Sequence, residues 1–215
     1  MYVPAAFAED RISVLHDAIR AHGLATLVTM TDGELIASHV PLMLAPERGA
    51  HGTLIGHLAR ANPQAKPATG EALVIFQGAD GYITPAYYPA KRQNGKVVPT
   101  WNYITIHAYG PLRFLDGPAE KLEIVTHLTD LHESSSAVPW AVSDAPADYV
   151  AGMLNGIIGF EIEISRIQGK WKMSQNRTDT DRAGVAEGLR GDGRADLADI
   201  VETGGAVASP PAAKA

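Results

Sequence analysis

Arg60 lies where a segment of strand character leads into a possible helix start. The segment is Gly56-His57-Leu58-Ala59-Arg60-Ala61-Asn62-Pro63, and Asn62 followed by proline is typical of an N-cap and a first helical position. An anion placed there would meet a guanidinium, free backbone N–H groups and the positive end of the helix dipole. An ordinary cap beside an exposed Arg60 accounts for the segment equally well.

A second group of polar residues lies between Gly169 and Arg177, in the run Gly-Lys-Trp-Lys-Met-Ser-Gln-Asn-Arg. Its donors are Lys172, Ser174, Gln175, Asn176 and Arg177. Such a run could bind phosphate or ribityl-like hydroxyls through charge-assisted hydrogen bonds. A solvated loop after the last strand is the more common role of a run of this kind.

An aromatic pair, Trp101 and Tyr103, follows a polar loop in the segment Val98-Pro-Thr-Trp-Asn-Tyr103. Two aromatic side chains beside a polar loop could form the wall of a flat ligand site. Burial inside a barrel explains the pair equally well, so the segment alone leaves both interpretations open.

The sequence has no GxSxG, Walker, GxGxxG or HExxH motif, so it predicts no catalytic residue. His39, His57 and His107 fall on separate predicted strands without the spacing that holds two rings on one ion, and no metal site is predicted. Glu161 and Glu163 alternate with apolar residues, which predicts that both lie on a solvated face of a strand.

The elements that must position these residues follow from periodicity and turn signals. Predicted helices are 11–21, 118–132, 147–154, 179–190 and 195–201, and Asn62 starts a further one. Predicted strands are two between 24 and 44 that turn at Asp32-Gly33, then 53–58, 73–77, 82–88, 101–114 with a bend at Gly110-Pro111, and 158–165. The strands 73–77 and 82–88 are predicted to form a hairpin around Gly78-Ala79-Asp80-Gly81.

Composition limits the classes to which the protein can belong. The chain has 215 residues, of which 46% are hydrophobic and 20% are charged, and this composition predicts one globular core. Strands in close succession, with helices inserted late, favour a mainly β antiparallel barrel with α additions over a parallel sheet. A net charge of -6 gives no general attraction to nucleic acid. The amino terminus lacks a basic leader and no apolar run is long enough to span a membrane, so we expect a cytoplasmic protein.

Seven segments, in order along the first 177 residues, resemble the FMN-binding, PaiB-like family of negative transcriptional regulators. They are Met1-Tyr-Val-Pro-Ala-Ala-Phe7, Ser38-His-Val-Pro41, Gly56-His-Leu-Ala-Arg-Ala-Asn-Pro63, Ala86-Tyr-Tyr-Pro-Ala-Lys91, Val98-Pro-Thr-Trp-Asn-Tyr103, His107-Ala-Tyr-Gly110 and Lys172-Met-Ser-Gln-Asn-Arg177. Each segment is a weak signal, but the ordered set is specific.

The resemblance implies an FMN-binding split β-barrel related to pyridoxamine phosphate oxidases, usually a homodimer with FMN at the subunit interface. Together with the polar and aromatic groups above, it implies cofactor binding by Ser38, His39, His57, Arg60, Asn62, Trp101, Asn102, Tyr103, Lys172, Ser174, Gln175, Asn176 and Arg177. We expect the FMN-binding domain at residues 1–177, a helical extension at 178–203 and a disordered tail at 204–215.

Three functions are compatible with these features. The first is an FMN-binding negative transcriptional regulator that senses redox state or a small ligand. The second is an FMN-dependent oxidoreductase, a flavin reductase or oxidase of a small substrate, because a flavin supplies the reactive atom and needs no protein nucleophile. The third is a barrel that binds no flavin and serves as an interaction module. The family name suggests DNA as a partner, but the charge does not support it.

Overall fold

A computed structural model gives the structure of the chain and describes residues 1–204. Ten strands lie in this part of the chain: β1 Ala8–Glu9, β2 Leu24–Thr31, β3 Glu34–Pro41, β4 Met43–Ala45, β5 Thr53–Ala59, β6 Ala72–Ile83, β7 Thr100–Gly110, β8 Leu112–Leu115, β9 Ile157–Glu163 and β10 Arg166–Lys172. The α-helices here are α1 Ile12–Ala21, α2 Ala90–Gln93, α3 Pro118–Glu133, α4 Ala147–Asn155, α5 Asp179–Gly191 and α6 Ala195–Glu202. None of these described helices has both the length and the apolar content needed to cross a membrane.

The described residues form two compact units. Unit 1 contains residues 1–18, 77–106 and 168–204, and unit 2 contains residues 19–76 and 107–167. The strands β6 and β7 each begin in one unit and end in the other, because the chain passes between the units within them. The predicted tail is residues 204–215. All of it except Gly204 lies outside the described residues.

In unit 1 the strand order is β1, β10, β7, β6, and Ala8 pairs antiparallel with Lys170. Along β7, Asn102, Ile104 and Ile106 are buried, whereas Trp101 and Tyr103 point to the more open face. This alternation follows from the twofold side-chain period of a strand. The helices α5 and α6 contribute Val185, Leu189, Leu197 and Val201 to the buried side chains of this unit.

In unit 2, β2 pairs with β3 and with β6, and a separate sheet has the order β4, β5, β9, β8. Helix α3 lies on that second sheet, where Ile124 and Leu128 pack with Ile55 and Leu115 in one buried cluster. Helical spacing predicts an apolar stripe of Leu122, Val125, Leu128 and Leu131, but only part of it is right. Leu128 is buried, whereas Leu122 and Leu131 are 41% and 53% exposed and Ile124 faces the sheet instead.

Several local predictions are confirmed. Asp32 and Gly33 have φ angles of 52° and 84° and connect β2 to β3, as expected for a tight hairpin turn. The strand 101–114 is interrupted after Gly110, as its Gly-Pro pair predicts. The helices 118–132, 147–154, 179–190 and 195–201 all appear close to their predicted bounds. The mainly β architecture with helical additions is confirmed as well.

Four local predictions are wrong. Asn62 does not start a helix: its backbone lies in a turn. The predicted hairpin around Gly78–Gly81 is instead part of the single strand β6. Of the predicted strand 82–88, only Tyr82 and Ile83 are extended, as the end of β6, and a 3₁₀ turn follows at Pro85–Tyr87. Glu161 is buried, not solvated. The run that begins at Gly169 is not a loop at its start, because β10 extends to Lys172.

Candidate functional site

A group of cations lies beside aromatic rings in unit 1. The Nζ atoms of Lys170 and Lys172 are 5.1 and 5.8 Å from the ring centroid of Tyr103. Lys170 Nζ is also 5.7 Å from the ring of Tyr2. Cations at such distances from aromatic rings are attracted to them. The alternation along β10 brings both lysines to the face of the sheet that carries Tyr103.

Lys172 is held by hydrogen bonds to the neighbouring strand. Its Nζ donates to Thr100 Oγ1 at 2.6 Å and to the carbonyl oxygen of Trp101. Burial lowers the pKa of Lys172, and the positive charges of Lys170 and Arg177 lower it further. Burial and the neighbouring positive charges thus both act against the charged form of Lys172.

No carboxylate among the described residues forms a salt bridge with Lys170, Lys172 or Arg177. Lys170 is only 8% exposed, and a buried charge without a counterion is costly. An anion bound to these three side chains would remove that cost. The donor set therefore suits an anionic group such as a phosphate.

A tight turn follows β10 and leads to Arg177. Ser174 has a positive φ of 64°, and its hydroxyl hydrogen-bonds the amide of Asn102 at 3.1 Å. Both side chains are buried. Gln175 completes the turn, because its Oε1 accepts from the backbone N–H of Met173 and its Nε2 donates to the carbonyl of Trp171. The side chains of Asn102, Ser174 and Gln175 thus form the hydrogen bonds that stabilise this turn.

Arg177 follows this turn and stacks on Tyr88. Its guanidinium carbon is 4.9 Å from the centroid of the Tyr88 ring, and Tyr88 is 1% exposed. Burial raises the pKa of Tyr88, and the charge of Arg177 partly offsets this rise. A ring that is fixed by burial gives the guanidinium a rigid support. Asn176, the turn residue that precedes Arg177, is exposed.

An open aromatic surface adjoins the lysines. Trp101 and Tyr82 are 54% and 49% exposed, and their rings meet edge to face with centroids 5.9 Å apart. Because Trp101 and Tyr103 project from the same side of β7, these rings and the two lysines share one face. We call Tyr82, Trp101, Tyr103, Lys170 and Lys172 the aromatic face. It combines flat apolar surface with positive charge.

Arg60, in unit 2, already has a complete set of partners. Its guanidinium forms an ion pair with both carboxylate oxygens of Asp116 and donates to the carbonyl oxygens of Asn155 at 3.0 Å and Ile157 at 2.9 Å. These bonds hold the connection from α4 into β9. Cofactor binding by Arg60 stays a prediction, but an anion there would have to compete with Asp116.

Asn62 uses its side chain in a turn and not as a helix cap. Its Oδ1 accepts from the backbone N–H of Gln64 and its Nδ2 donates to Ser38 Oγ, both at 2.9 Å. Since no helix follows, the expected helix dipole is missing at this position. Ser38 and Asn62 are thus in contact, and cofactor binding by either of them stays a prediction.

The two predicted histidines of unit 2 differ in environment. His39 is exposed on β3, whereas His57 is half-buried on β5 and its Nδ1 has no hydrogen-bond partner among the described residues. Burial lowers the pKa of His57.

Sequence analysis missed Lys170, Tyr88, Thr100 and Tyr82 as members of the site. Lys170 and Lys172 are two residues apart, which is the spacing of neighbours on one face of a strand. That signal was available, but it required residues 166–172 to be identified as a strand. No local pattern pairs Tyr88 with Arg177, because 88 residues of intervening chain separate them.

Comparison with known proteins identifies relatives of this chain. Residues 1–166 match the family described as "Putative FMN-binding domain". The protease synthase and sporulation protein PAI 2 of Bacillus subtilis is 34% identical over 194 residues, which cover 88% of this chain and 89% of that protein. The protein AN0679 of Emericella nidulans is 38% identical over 226 residues, covering 88% and 90% of the two chains.

Two solved structures share the fold. The flavocytochrome Anf3 from Azotobacter vinelandii has a TM-score of 0.53 and 15% identity, with 77% of this chain and 69% of that chain covered. The FAD and heme binding protein from Mycobacterium smegmatis has a TM-score of 0.51 and 16% identity, with 76% and 71% covered. These likenesses concern the fold alone, and the fold is a split β-barrel.

Proposed function

This chain belongs to the family of FMN-binding domains that its residues 1–166 match, and we propose that it is a flavoprotein whose FMN senses redox state or a small ligand. Its cofactor is FMN. The proposed role is that of a PaiB-type negative transcriptional regulator. The 34% sequence identity to the Bacillus subtilis protein PAI 2 supports the assignment to the PaiB type. The aromatic face, with its uncompensated cations, is the observation that carries the proposal.

Lys170, Lys172 and Arg177 would hold the phosphate of FMN. They gather three cations without a carboxylate partner among the described residues, and a dianionic phosphate would supply the missing charge. Bound phosphate would also reverse the effect of the neighbouring cations on Lys172 and raise its pKa toward the usual range. All three residues follow the end of the family match at residue 166.

Trp101 and Tyr103 would line the flat ring of the cofactor. Both lie on the aromatic face beside the lysines, and their rings offer apolar surface with a defined geometry. Bound FMN supplies hydride and electron transfer. The chain contributes charge for the phosphate, aromatic surface for the ring and a buried Asn102–Ser174 hydrogen bond that fixes their spacing.

We also propose that a second copy of the chain covers the aromatic face in a homodimer. Trp101 and Tyr82 are about half exposed in the single chain, and aromatic residues are enriched in protein interfaces. A symmetric partner is the common solution for such a surface. This arrangement would place two equivalent flavin sites in the dimer.

The experiment that tests the proposal compares FMN with riboflavin, which lacks only the phosphate. Flavin fluorescence is followed while each is titrated into flavin-free protein. We expect FMN to bind at least ~10-fold more tightly, since charge-assisted bonds contribute ~1.5–3 kcal/mol. Equal affinities would contradict a phosphate site, and no binding of either flavin would favour an interaction module.

A second step separates sensing from catalysis. The FMN complex is mixed anaerobically with NADPH, and its visible spectrum is followed before and after oxygen is admitted. We expect tightly bound flavin without catalytic turnover. Repeated bleaching and recovery with consumption of NADPH would favour an FMN-dependent oxidoreductase over the regulator.

A further inference from the structure

A second cleft lies in unit 2, on residues that take no part in the proposed flavin site. Helix α3, the 3₁₀ turn Val142–Asp144 and helix α4 line an open groove with a volume of about 740 Å³. This volume is within the ~300–1,000 Å³ that small-molecule sites occupy. The cleft is therefore large enough for a ligand of its own.

The lining of this cleft is mostly apolar. Leu122, Val150 and Leu154 contribute branched side chains, and small residues leave the space between them open. The small residues are Ala141, Ala145, Ala147 and Ala151. A ligand that fills this space must offer an apolar body, because a polar one would lose its hydration without new hydrogen bonds.

Asp130 is the only charged residue that lines the cleft among the described residues. Its carboxylate is exposed and forms no hydrogen bond or salt bridge with a described residue. The other polar lining side chains are the hydroxyls of Thr126 and Ser143. The cleft thus combines a mostly apolar lining with one free negative charge.

The neighbouring carboxylates are already engaged. Glu120 accepts from the backbone N–H of Gly117, Glu133 from that of Trp140, and Asp144 from that of Ala141. They cap or close their own turns, which leaves Asp130 available to a ligand.

The surrounding segment reinforces the negative potential. Residues 116–155 contain seven Asp or Glu residues and one Lys, which gives a formal charge of -6, and the chain as a whole also has -6. The single cation, Lys121, is 3.4 Å from Asp116 and is buried. Charge complementarity therefore favours a cationic ligand and disfavours an anionic one.

We propose that this cleft binds a small organic amine with an apolar body, whose ammonium group meets Asp130 while its hydrocarbon part lies between α3 and α4. The ammonium donates to the free carboxylate, and the alkyl part contacts Leu122, Val150 and the alanines. The site is independent of the flavin, and its occupancy does not require FMN.

Octylamine is the probe, with octanol and octanoate as neutral and anionic analogues of equal chain length. Each is titrated into full-length protein carrying [¹³C]methyl-alanine, and the alanine methyl signals are recorded by NMR. We expect octylamine to shift the signals of Ala141, Ala145, Ala147 and Ala151. Its dissociation constant should be ~0.1–1 mM, as ligand efficiency allows for so small a molecule, and at least ~10-fold lower than those of the two analogues.

Asp130→Asn should weaken octylamine binding at least ~5-fold while leaving octanol unchanged, since only the charge is lost. Glu123→Gln is the matched control, because Glu123 is exposed on the same helix but outside the cleft lining, and it should have no effect. The proposal is wrong if octylamine moves none of the four alanine signals, if octanol binds as tightly as octylamine, or if Asp130→Asn binds octylamine like the unmodified protein.

Discussion

Asn102 and Ser174 hydrogen-bond each other through Asn102 Nδ2 and Ser174 Oγ at 3.1 Å, although 72 positions separate them in the chain. Asn102 is 1% exposed and Ser174 is 4% exposed. Their contact ties the middle of β7 to the turn that follows β10. The lysines of the proposed phosphate site precede this turn and Arg177 follows it, so the buried bond ties the turn that connects them to β7.

Asn102→Ala should weaken FMN binding and lower the free energy of unfolding by ~1–3 kcal/mol, because the buried Ser174 hydroxyl loses its partner. The measurements are urea denaturation and FMN titration of the same preparation. Asn176→Ala is the control, since Asn176 is exposed in the same turn and should change stability by less than ~0.5 kcal/mol. Equal stability of both variants would contradict a positioning role for Asn102.

Lys172→Ala should lower FMN affinity by ~10- to 100-fold, the effect of losing a charge-assisted bond to phosphate, and leave riboflavin affinity within about twofold. Arg60→Ala serves as the comparison, because Arg60 already pairs with Asp116 and two backbone carbonyls. We expect its main effect to be on stability. If Arg60→Ala lowers FMN affinity more than Lys172→Ala does, the phosphate lies in unit 2 and our assignment is wrong.

Glu161→Gln should destabilise the protein by ~1–3 kcal/mol near neutral pH. Glu161 bonds Arg48 at 2.6 Å and Arg113 at 2.5 to 2.9 Å. Burial by itself would raise the pKa of Glu161, but the bonds to both arginines outweigh burial and lower it.

The sign of the pH dependence follows from that lowered pKa. The carboxylate contributes stability above its unfolded pKa of ~4.3, and the contribution is lost as pH falls through the lower folded value. Urea denaturation at several pH values should therefore show the difference between the unmodified protein and Glu161→Gln shrinking below pH ~4. A difference that stays constant into acid would show that the charge of Glu161 does not contribute.

Trp101→Glu should convert the proposed homodimer to a monomer, because it places a charge in the centre of the aromatic face. Light scattering at micromolar concentration measures the mass. Trp140→Glu is the matched control, since Trp140 is similarly exposed, at 47%, but lies in unit 2, and this variant should stay dimeric. An unmodified protein that is monomeric and still binds FMN would contradict the dimer.

We predict no sequence-specific DNA binding by the isolated protein at physiological salt. Acidic residues exceed basic ones by six, and the group Lys170, Lys172 and Arg177 is assigned to the flavin phosphate. A local basic patch would be needed to release counterions from DNA. Fluorescence titration with the protein's own upstream DNA at ~0.15 M salt tests this: a dissociation constant below ~0.1 µM that is lost on scrambling the DNA would overturn the prediction.

Local sequence is sufficient for the features that depend only on neighbouring residues. Asp32-Gly33 tolerates positive φ at both positions, so the first hairpin could be predicted without knowledge of the rest. The alternation along β7 also depends only on the period of a strand, whereas packing on the sheet decides which side of α3 is buried. The ordered motifs likewise indicate the FMN-binding family, because each of them is a short continuous segment.

Other features depend on contacts between residues that are far apart in the sequence, because these contacts override the local preference of a residue. Asn62 is a good helix cap in isolation, but its amide group donates to Ser38, which lies 24 positions earlier in the chain. Gly81 suggested a turn, yet it allows α6 to approach β6: an added Cβ would lie 2.6 Å from Leu197 Cδ2. Arg48 and Arg113 made burial of Glu161 possible, and neither is close to it in sequence.

The candidate site also has features that local sequence predicts and features that only long-range contacts decide. Residue types in the run 169–177 predicted an anion site, because lysine and arginine carry that chemistry wherever they are placed. Which of them gather, and which support the turn, depends on pairing between β10 and β7 and on the packing of Tyr88 under Arg177. Those contacts join segments about 70 to 90 positions apart, and no local pattern in a single sequence specifies them.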